Sequence, residues 1–162
     1  MELVRDSDDR LQHGLGLGYS YLNRRERTVA EVRRHLERAA VDKATVLRVI
    51  ATLAEQGFLN DARFAELFVQ DKRELEHWGS ERIERSLLAR GIDRGLARTA
   101  LTGTTSESEL ERAVALLRRR FPAAPENRRE RERALGVLLR KGYDGELALD
   151  ALAAHAREAE AA

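Results

Sequence analysis

The chain has 162 residues, of which 35% are charged, 5% aromatic and none cysteine. That length can bury a core, and the missing thiols exclude disulfides, zinc–cysteine sites and a cysteine nucleophile. A formal net charge of +1 hides two cationic stretches. Arg118 to Lys141 sets nine cations against three anions, a net +6, and Arg24 to Arg38 sets six arginines against three glutamates, a net +3.

Leu, Ala, Arg and Glu dominate and only two prolines occur, the profile of an all-α, charge-covered protein. The opening MELVRDSDDR lacks the apolar run of a signal peptide. No apolar run approaches the ~18 residues of a membrane span. A cytoplasmic setting, no membrane contact and no cofactor are expected.

The pattern predicts about nine helices in three groups of three. Residues 1–16 read as a poorly ordered extension, because Gly14, Gly16 and Gly18 each cost a helix interior ~1 kcal/mol relative to alanine. The first helix is placed at Leu17–Asn23, reaching back toward Leu11. Thr28 opens the second helix with Glu31 as a capping box, and Val29, Val32 and Leu36 form its apolar stripe. Asp42 caps the third, with Val46, Val49, Ile50 and Leu53 inward. Asp61 is expected to cap the fourth, burying Phe64, Leu67, Phe68 and Leu75. Gly79 breaks the chain and Ser80 caps the fifth, with Ile83 and Leu87 inward. The sixth runs from Arg94 to Leu101, followed by a linker at Thr102–Ser106. Ser106 and Glu109 suggest another capping box, for a helix burying Leu110, Val114, Leu117 and Phe121. PAAP, Pro122 to Pro125, stops it. The eighth helix runs from about Glu126 to Lys141, and the last starts at Gly145. The units are drawn at 17–59, 60–102 and 106–155, with a tail at 156–162.

One segment is written twice. RSLLARGIDRGLARTAL, Arg85 to Leu101, matches LGVLLRKGYDGELALDAL, Leu135 to Leu152, at an offset of 51 residues when Gly91 is set on Gly142. A leucine pair, a cation, a glycine, a plug residue and an aspartate recur in order. The cation suits the negative end of a helix dipole. The glycine suits a left-handed helix C-terminus, and the aspartate caps the next helix. Repetition on this scale marks stacked helical arrays. A worn copy at His35–Ile50 has Ala39 at the corner, with Leu36 set on Leu88 and one extra residue after it.

Catalytic chemistry is not visible. The four histidines pair with nothing at metal-ligand spacing, no serine stands in a nucleophile elbow and no glycine-rich loop carries a phosphate-binding lysine. Carboxylates alternate with arginines as on solvated helix faces. Trp78 reads as a corner residue or as a partner anchor. The basic face comprises Arg24, Arg25, Arg27, Arg33 and Arg34, then Arg82, Arg85 and Arg90. Arg118, Arg119, Arg120, Arg128, Arg129, Arg131, Arg133, Arg140 and Lys141 complete it. Forked guanidinium groups suit phosphate or carboxylate.

Four strings occur in order: YLNRRERTVAEVRRHL (Tyr21–Leu36), GFLNDARFAELFV (Gly57–Val69), GSERIERSLLARGID (Gly79–Asp93) and LLRKGYD (Leu138–Asp144). In these the chain resembles the RecX family, bacterial regulators of the recombinase RecA, from roughly Tyr19 to Leu152. The resemblance implies an elongated, curved array of three three-helix units without catalytic residues. It implies binding to the RecA–single-stranded DNA filament, and inhibition of filament growth, ATPase, strand exchange and co-protease activity. Single- or double-stranded DNA could be touched directly, and a monomer is expected. The alternatives are a direct nucleic-acid-binding helical protein or a helical-repeat scaffold for another partner. A compact globule of this length would have a radius of gyration of about 15 Å; a curved array should exceed it in solution scattering.

Overall fold

The structure, a computed structural model, describes residues 1–102 and 108–162. Among these the chain forms nine α-helices: α1 (Glu2–Leu22), α2 (Val29–Arg38), α3 (Lys43–Glu55), α4 (Asp61–Glu74), α5 (Ser80–Ala89), α6 (Arg94–Thr102), α7 (Glu109–Arg120), α8 (Arg128–Lys141) and α9 (Gly145–Ala161). They pack as two units, residues 1–65 with 87–97 and residues 66–86 with 98–162.

In the first unit, Leu15 of α1, Val32 and Leu36 of α2, and Val46, Val49 and Leu53 of α3 join Leu59 in one core. Burying a leucine such as Leu36 contributes about 1.5–3 kcal/mol. The first helix is three times as long as its glycines suggest, and those glycines explain it. A Cβ on Gly14 would stand 2.8 Å from Val49, and one on Gly18 would stand 2.9 Å from Leu53. Four residues apart, both face α3, and their bareness lets the two backbones approach closely. The packing gained on α3 offsets their poor helix propensity. Farther out, Arg48 of α3 donates to Ser7 Oγ at 2.7 Å, holding the N-terminal half of α1.

In the second unit, Ala113, Val114, Leu116 and Leu117 of α7 meet Ala134, Val137 and Leu138 of α8, Tyr143, and Ala148 and Ala151 of α9. A nitrogen of the buried His155 ring lies 2.9 Å from the Phe121 carbonyl oxygen, just past the end of α7. Ser108 caps α7 in a complete capping box with Glu111. The box expected at Ser106, and most of the expected linker, lie outside the described residues. Asn127 caps α8, which therefore starts two residues later than expected.

The repeated corner is present three times. The amides of Val41, Ile92 and Tyr143 each donate 3.1 Å to the carbonyls of Leu36, Leu87 and Leu138. The residues before those amides have positive φ: Ala40 at 60°, Gly91 at 83° and Gly142 at 95°. Asp42, Asp93 and Asp144 then accept from the amides of Thr45, Gly95 and Leu147, in the first turns of α3, α6 and α9. All three sets are spaced 51 residues apart. The first copy therefore needs no extra residue. Ala40, not Ala39, stands at the corner, and Leu36 falls on Leu87.

A second contact also recurs, between the second helix of one copy and the helices of the next. The first amide of α2, Val29 N, donates to Asp61 Oδ1 of α4 at 2.9 Å. The first amide of α5, Ser80 N, donates to Glu109 Oε1 of α7 at 2.6 Å. Beside these bonds, the buried Thr28 hydroxyl donates to the Arg90 carbonyl at 2.7 Å. Gly79 N, 51 residues on, donates to the Lys141 carbonyl at 2.7 Å. This corrects two expected caps. Asp61 caps α2 rather than its own helix, which Asn60 caps, and Ser80 is itself capped by Glu109. At both helix starts a carboxylate meets the positive end of a helix dipole. Thr28 caps α2 as expected, its hydroxyl accepting from Glu31 N at 3.1 Å, but the Glu31 side chain does not close the box and turns toward arginines.

The stripe of α4 also differs from the 3.6-residue reading. Phe64, Ala65, Val69 and Arg73 are buried, whereas Leu67 and Leu75 are exposed. In α7 and α8, Leu110 and Leu139 are likewise exposed.

The corners should respond oppositely to exchange of glycine and alanine. A Cβ at Gly91 would overlap Ala30, and one at Gly142 would overlap Arg82. Gly91→Ala and Gly142→Ala should each cost about 2 kcal/mol or more. Ala40→Gly should be neutral or stabilise by up to about 1 kcal/mol. Urea unfolding midpoints measure all three.

Candidate partner-binding site

The seventeen residues of the sequence-derived basic face separate into engaged and free groups. In the first unit three arginines converge on Glu31, whose side chain is mostly buried. Arg25 Nη2 lies 3.2 Å, Arg27 Nη1 3.8 Å and Arg90 Nη1 3.4 Å from its oxygens. Arg27 also covers the Tyr21 ring at 3.9 Å, and Tyr21 stacks on His35 with ring centroids 4.0 Å apart. These arginines hold the start of α2 and are already committed. Arg24, Arg33 and Arg34 are exposed and form no ion pair with the described residues.

In the second unit, Arg82 lies 3.9 Å over Trp78 and donates to the Arg140 carbonyl at 3.0 Å. Lys72 stands 4.6 Å from the same indole, and Phe68 meets it edge-on. Trp78 is thus a half-buried corner residue clasped by two cations. Lys141 donates to the Glu76 carbonyl at 2.8 Å. Arg118 makes a forked pair with Glu158, which raises the arginine's pKa and lowers the carboxyl's. Arg128 pairs with Glu132 one turn on, on an exposed face, where such a pair contributes little. Arg119 Nη1 lies 2.6 Å from His77 Nε2. Since a guanidinium can only donate, that ring nitrogen accepts and His77 is neutral. Burial, then Arg119 and Lys141, push its pKa below the usual value.

What remains is an exposed set without ion pairs among the described residues: Arg85, Arg120, Arg129, Arg131, Arg133 and Arg140. Three of them crowd the first half of α8. Arg73 was missed from sequence, and Glu109, read there only as a capping-box residue, has a larger role. Arg73 is buried on the apolar stripe of α4, where it donates to the Leu101 carbonyl at 2.8 Å and to Ser80 Oγ at 3.3 Å. Burial lowers its pKa first, and the neighbouring Arg112 lowers it further. Glu109 serves Ser80, Arg112 and Arg73 together. The available signal was an arginine four residues beyond Val69, in line with Ala65.

Among the described residues, no group of three or more His, Asp or Glu could hold a metal ion. No helix there is long and apolar enough to cross a membrane.

Three family models match in order: RecX, first three-helix domain, at residues 16–53; second, at 60–101; and third, at 107–152. A regulatory protein RecX of Leptothrix cholodnii is 35% identical over 132 residues, covering 82% of each chain. The chain belongs to the RecX family. The RecX of Deinococcus radiodurans is 33% identical over 131 residues, 81% of this chain and 62% of that one. A Listeria monocytogenes RecX is 26% identical over 144 residues, and the chain spans 53% of that relative's length. The crystal structure of RecX from Lactobacillus salivarius superimposes with a TM-score of 0.79 at 23% identity, covering 96% of this chain and 99% of that one. That likeness establishes the shared RecX fold.

Two outcomes should separate engaged from free charges. Glu31→Gln should destabilise the protein by about 1–3 kcal/mol, read by urea unfolding, because three arginines lose their counter-charge. The His77 ring should titrate below 6.5 in an NMR pH series, and Arg119→Gln should move it upward. Because the folded state resists protonating His77, the ring costs stability as pH falls through its unfolded value. His77→Gln should flatten that loss.

Proposed function

We propose that this chain regulates a RecA recombinase by binding its filament on single-stranded DNA and restraining filament growth, ATP hydrolysis, strand exchange and co-protease activity. The carrying observation is the ordered match of all three RecX domains along the chain. The unpaired arginines are consistent with it. Arg24, Arg33 and Arg34 on one unit, and Arg85, Arg120, Arg129, Arg131, Arg133 and Arg140 on the other, remain available for acidic protein surface or phosphate. Several weak contacts along a polymer reinforce one another, because each later contact is intramolecular. In this reading the protein acts in the cytoplasm, as a monomer, and needs no cofactor.

The test is ATP hydrolysis by the cognate RecA on single-stranded DNA, with the protein added well below one per RecA. A strong drop is expected. Reversing Arg129, Arg131 and Arg133 together should weaken inhibition about tenfold or more while leaving the unfolding midpoint nearly unchanged. If six to ten cations meet phosphate, affinity should fall about 10³–10⁵-fold between 50 and 200 mM salt. A nearly salt-independent affinity assigns the contacts to protein surface. No loss of hydrolysis, with tight binding to bare DNA, would replace the regulator reading with that of a direct nucleic-acid binder.

A further inference from the structure

The first two copies carry one arrangement with its charges exchanged. Tyr21 and Arg27 of the first copy fall on Lys72 and Trp78 of the second, 51 residues on. In the first, Arg27 covers the Tyr21 ring at 3.9 Å. In the second, Lys72 stands 4.6 Å over the Trp78 ring, so cation and aromatic have swapped positions. Glu31, which gathers three arginines in the first copy, falls on Arg82. The second copy thus has a second cation where the first has a carboxylate, and it stacks 3.9 Å over the indole. Arg82 forms no ion pair with the described residues and donates to the Arg140 carbonyl at 3.0 Å. Lys72 pairs loosely with Glu76, at 3.9 Å.

An apolar side chain beside this cluster faces water. Leu75 is 74% exposed. It follows Phe68 by seven residues and Lys72 by three, which sets it on their stripe of the helix. Its amide still bonds to the Asp71 carbonyl in helical register, at 2.8 Å. The chain then turns back, and Trp78 N donates to the Lys72 carbonyl at 3.0 Å. Phe68 meets the indole edge-on. Leu75, the indole and two cationic heads therefore share one surface. A lone exposed leucine is ordinary, but tryptophan and arginine beside it have the composition of a binding hot spot.

We propose that Leu75, Trp78 and Arg82 form a docking patch for a protein partner that presents a carboxylate next to an aliphatic side chain. The carboxylate answers Arg82 and Lys72, as Glu31 answers its arginines in the first copy. The aliphatic group covers Leu75 and the indole edge. That cover keeps water from the charge pair, which strengthens it. A nucleic-acid strand fits less well. A base needs an open ring face on which to stack, and Arg82 and Lys72 already lie over that of Trp78. Leu75 offers no ring at all. The assignment does not depend on which protein supplies the two groups, and so stands apart from the RecA reading.

The experiment uses the full chain, whose sole tryptophan is Trp78, so its fluorescence reports on the patch alone. The probe is a blocked Gly-Leu-Glu-Gly peptide. Gly-Leu-Gln-Gly, Gly-Ala-Glu-Gly and a thymidine oligonucleotide form the other arms. The Leu-Glu peptide should change the Trp78 emission saturably. Each peptide counterpart should bind about tenfold more weakly, one having lost the charge and the other the apolar group. Arg82→Gln should remove about tenfold of the affinity. Because Arg82 also packs at the Gly142 corner, the deciding variant is Leu75→Ala. It trims an exposed side chain, so it should keep the parent unfolding midpoint and still weaken binding about tenfold. Leu47→Ala, which trims an exposed leucine of α3, should change neither. Equal binding of the three peptides, or no effect of Leu75→Ala, would overturn the proposal. No saturable change up to about 10 mM peptide would also overturn it. Tighter binding of the oligonucleotide, itself weakened by Leu75→Ala, would assign the patch to nucleic acid instead.

Discussion

The structure depends on one electrostatic contact made twice. A carboxylate at or near the start of a first helix reaches the opening amide of the second helix in the copy before it. Asp61 does this to α2, and Glu109 to α5. The beginning of a helix leaves several N–H groups without internal partners, and burying such an end without acceptors is costly. Here the missing acceptor comes from the next copy. The same junction also consumes the carbonyls of Arg90 and Lys141, just before the glycine corners. Neighbouring copies are therefore joined by groups that isolated helices would leave unsatisfied, in addition to apolar burial.

Arginine plays two opposed parts around these junctions. Arg25, Arg27 and Arg90 gather on Glu31, and Arg73 and Arg112 on Glu109. Those five are tied to the helix starts, and their forked heads bridge several acceptors at once. The arginines of early α8 have no such duty. A cationic count along the chain mixes the two kinds. The distinction matters because removing one of those five arginines strips a partly buried carboxylate of one of its counter-charges, whereas removing an exposed one leaves only water.

Local features were legible in the sequence because their physics is local. The all-α class, the glycine corners and the three aspartate caps need residues no more than a few positions apart. The register of the first copy slipped because alanine at the corner does not announce a left-handed backbone. Ala40 adopts one all the same, since the bond between Leu36 and Val41 requires it. The long first helix was missed because glycine reads as a helix breaker until α3 is seen against Gly14 and Gly18. The caps supplied by Asp61 and Glu109 come from 32 and 29 residues away, beyond any motif. The same holds for Glu31 and Arg90. Which arginines are free is a tertiary fact, so the basic face was legible as a charge excess but not as a list of available side chains.

The constant 51-residue spacing has a consequence for how such a chain can change length. A segment cut just after the aspartate caps, such as residues 43–93, carries one corner, one aspartate cap and the reaching carboxylate Asp61 when it is duplicated in frame. It would bring both halves of a new junction with it. A deletion of the same size would rejoin compatible halves. A single inserted residue between Leu87 and Asp93 would instead misplace the plug and the cap together. Growth and loss by whole periods are therefore mechanically tolerated, while small insertions are confined to the stretches between corners.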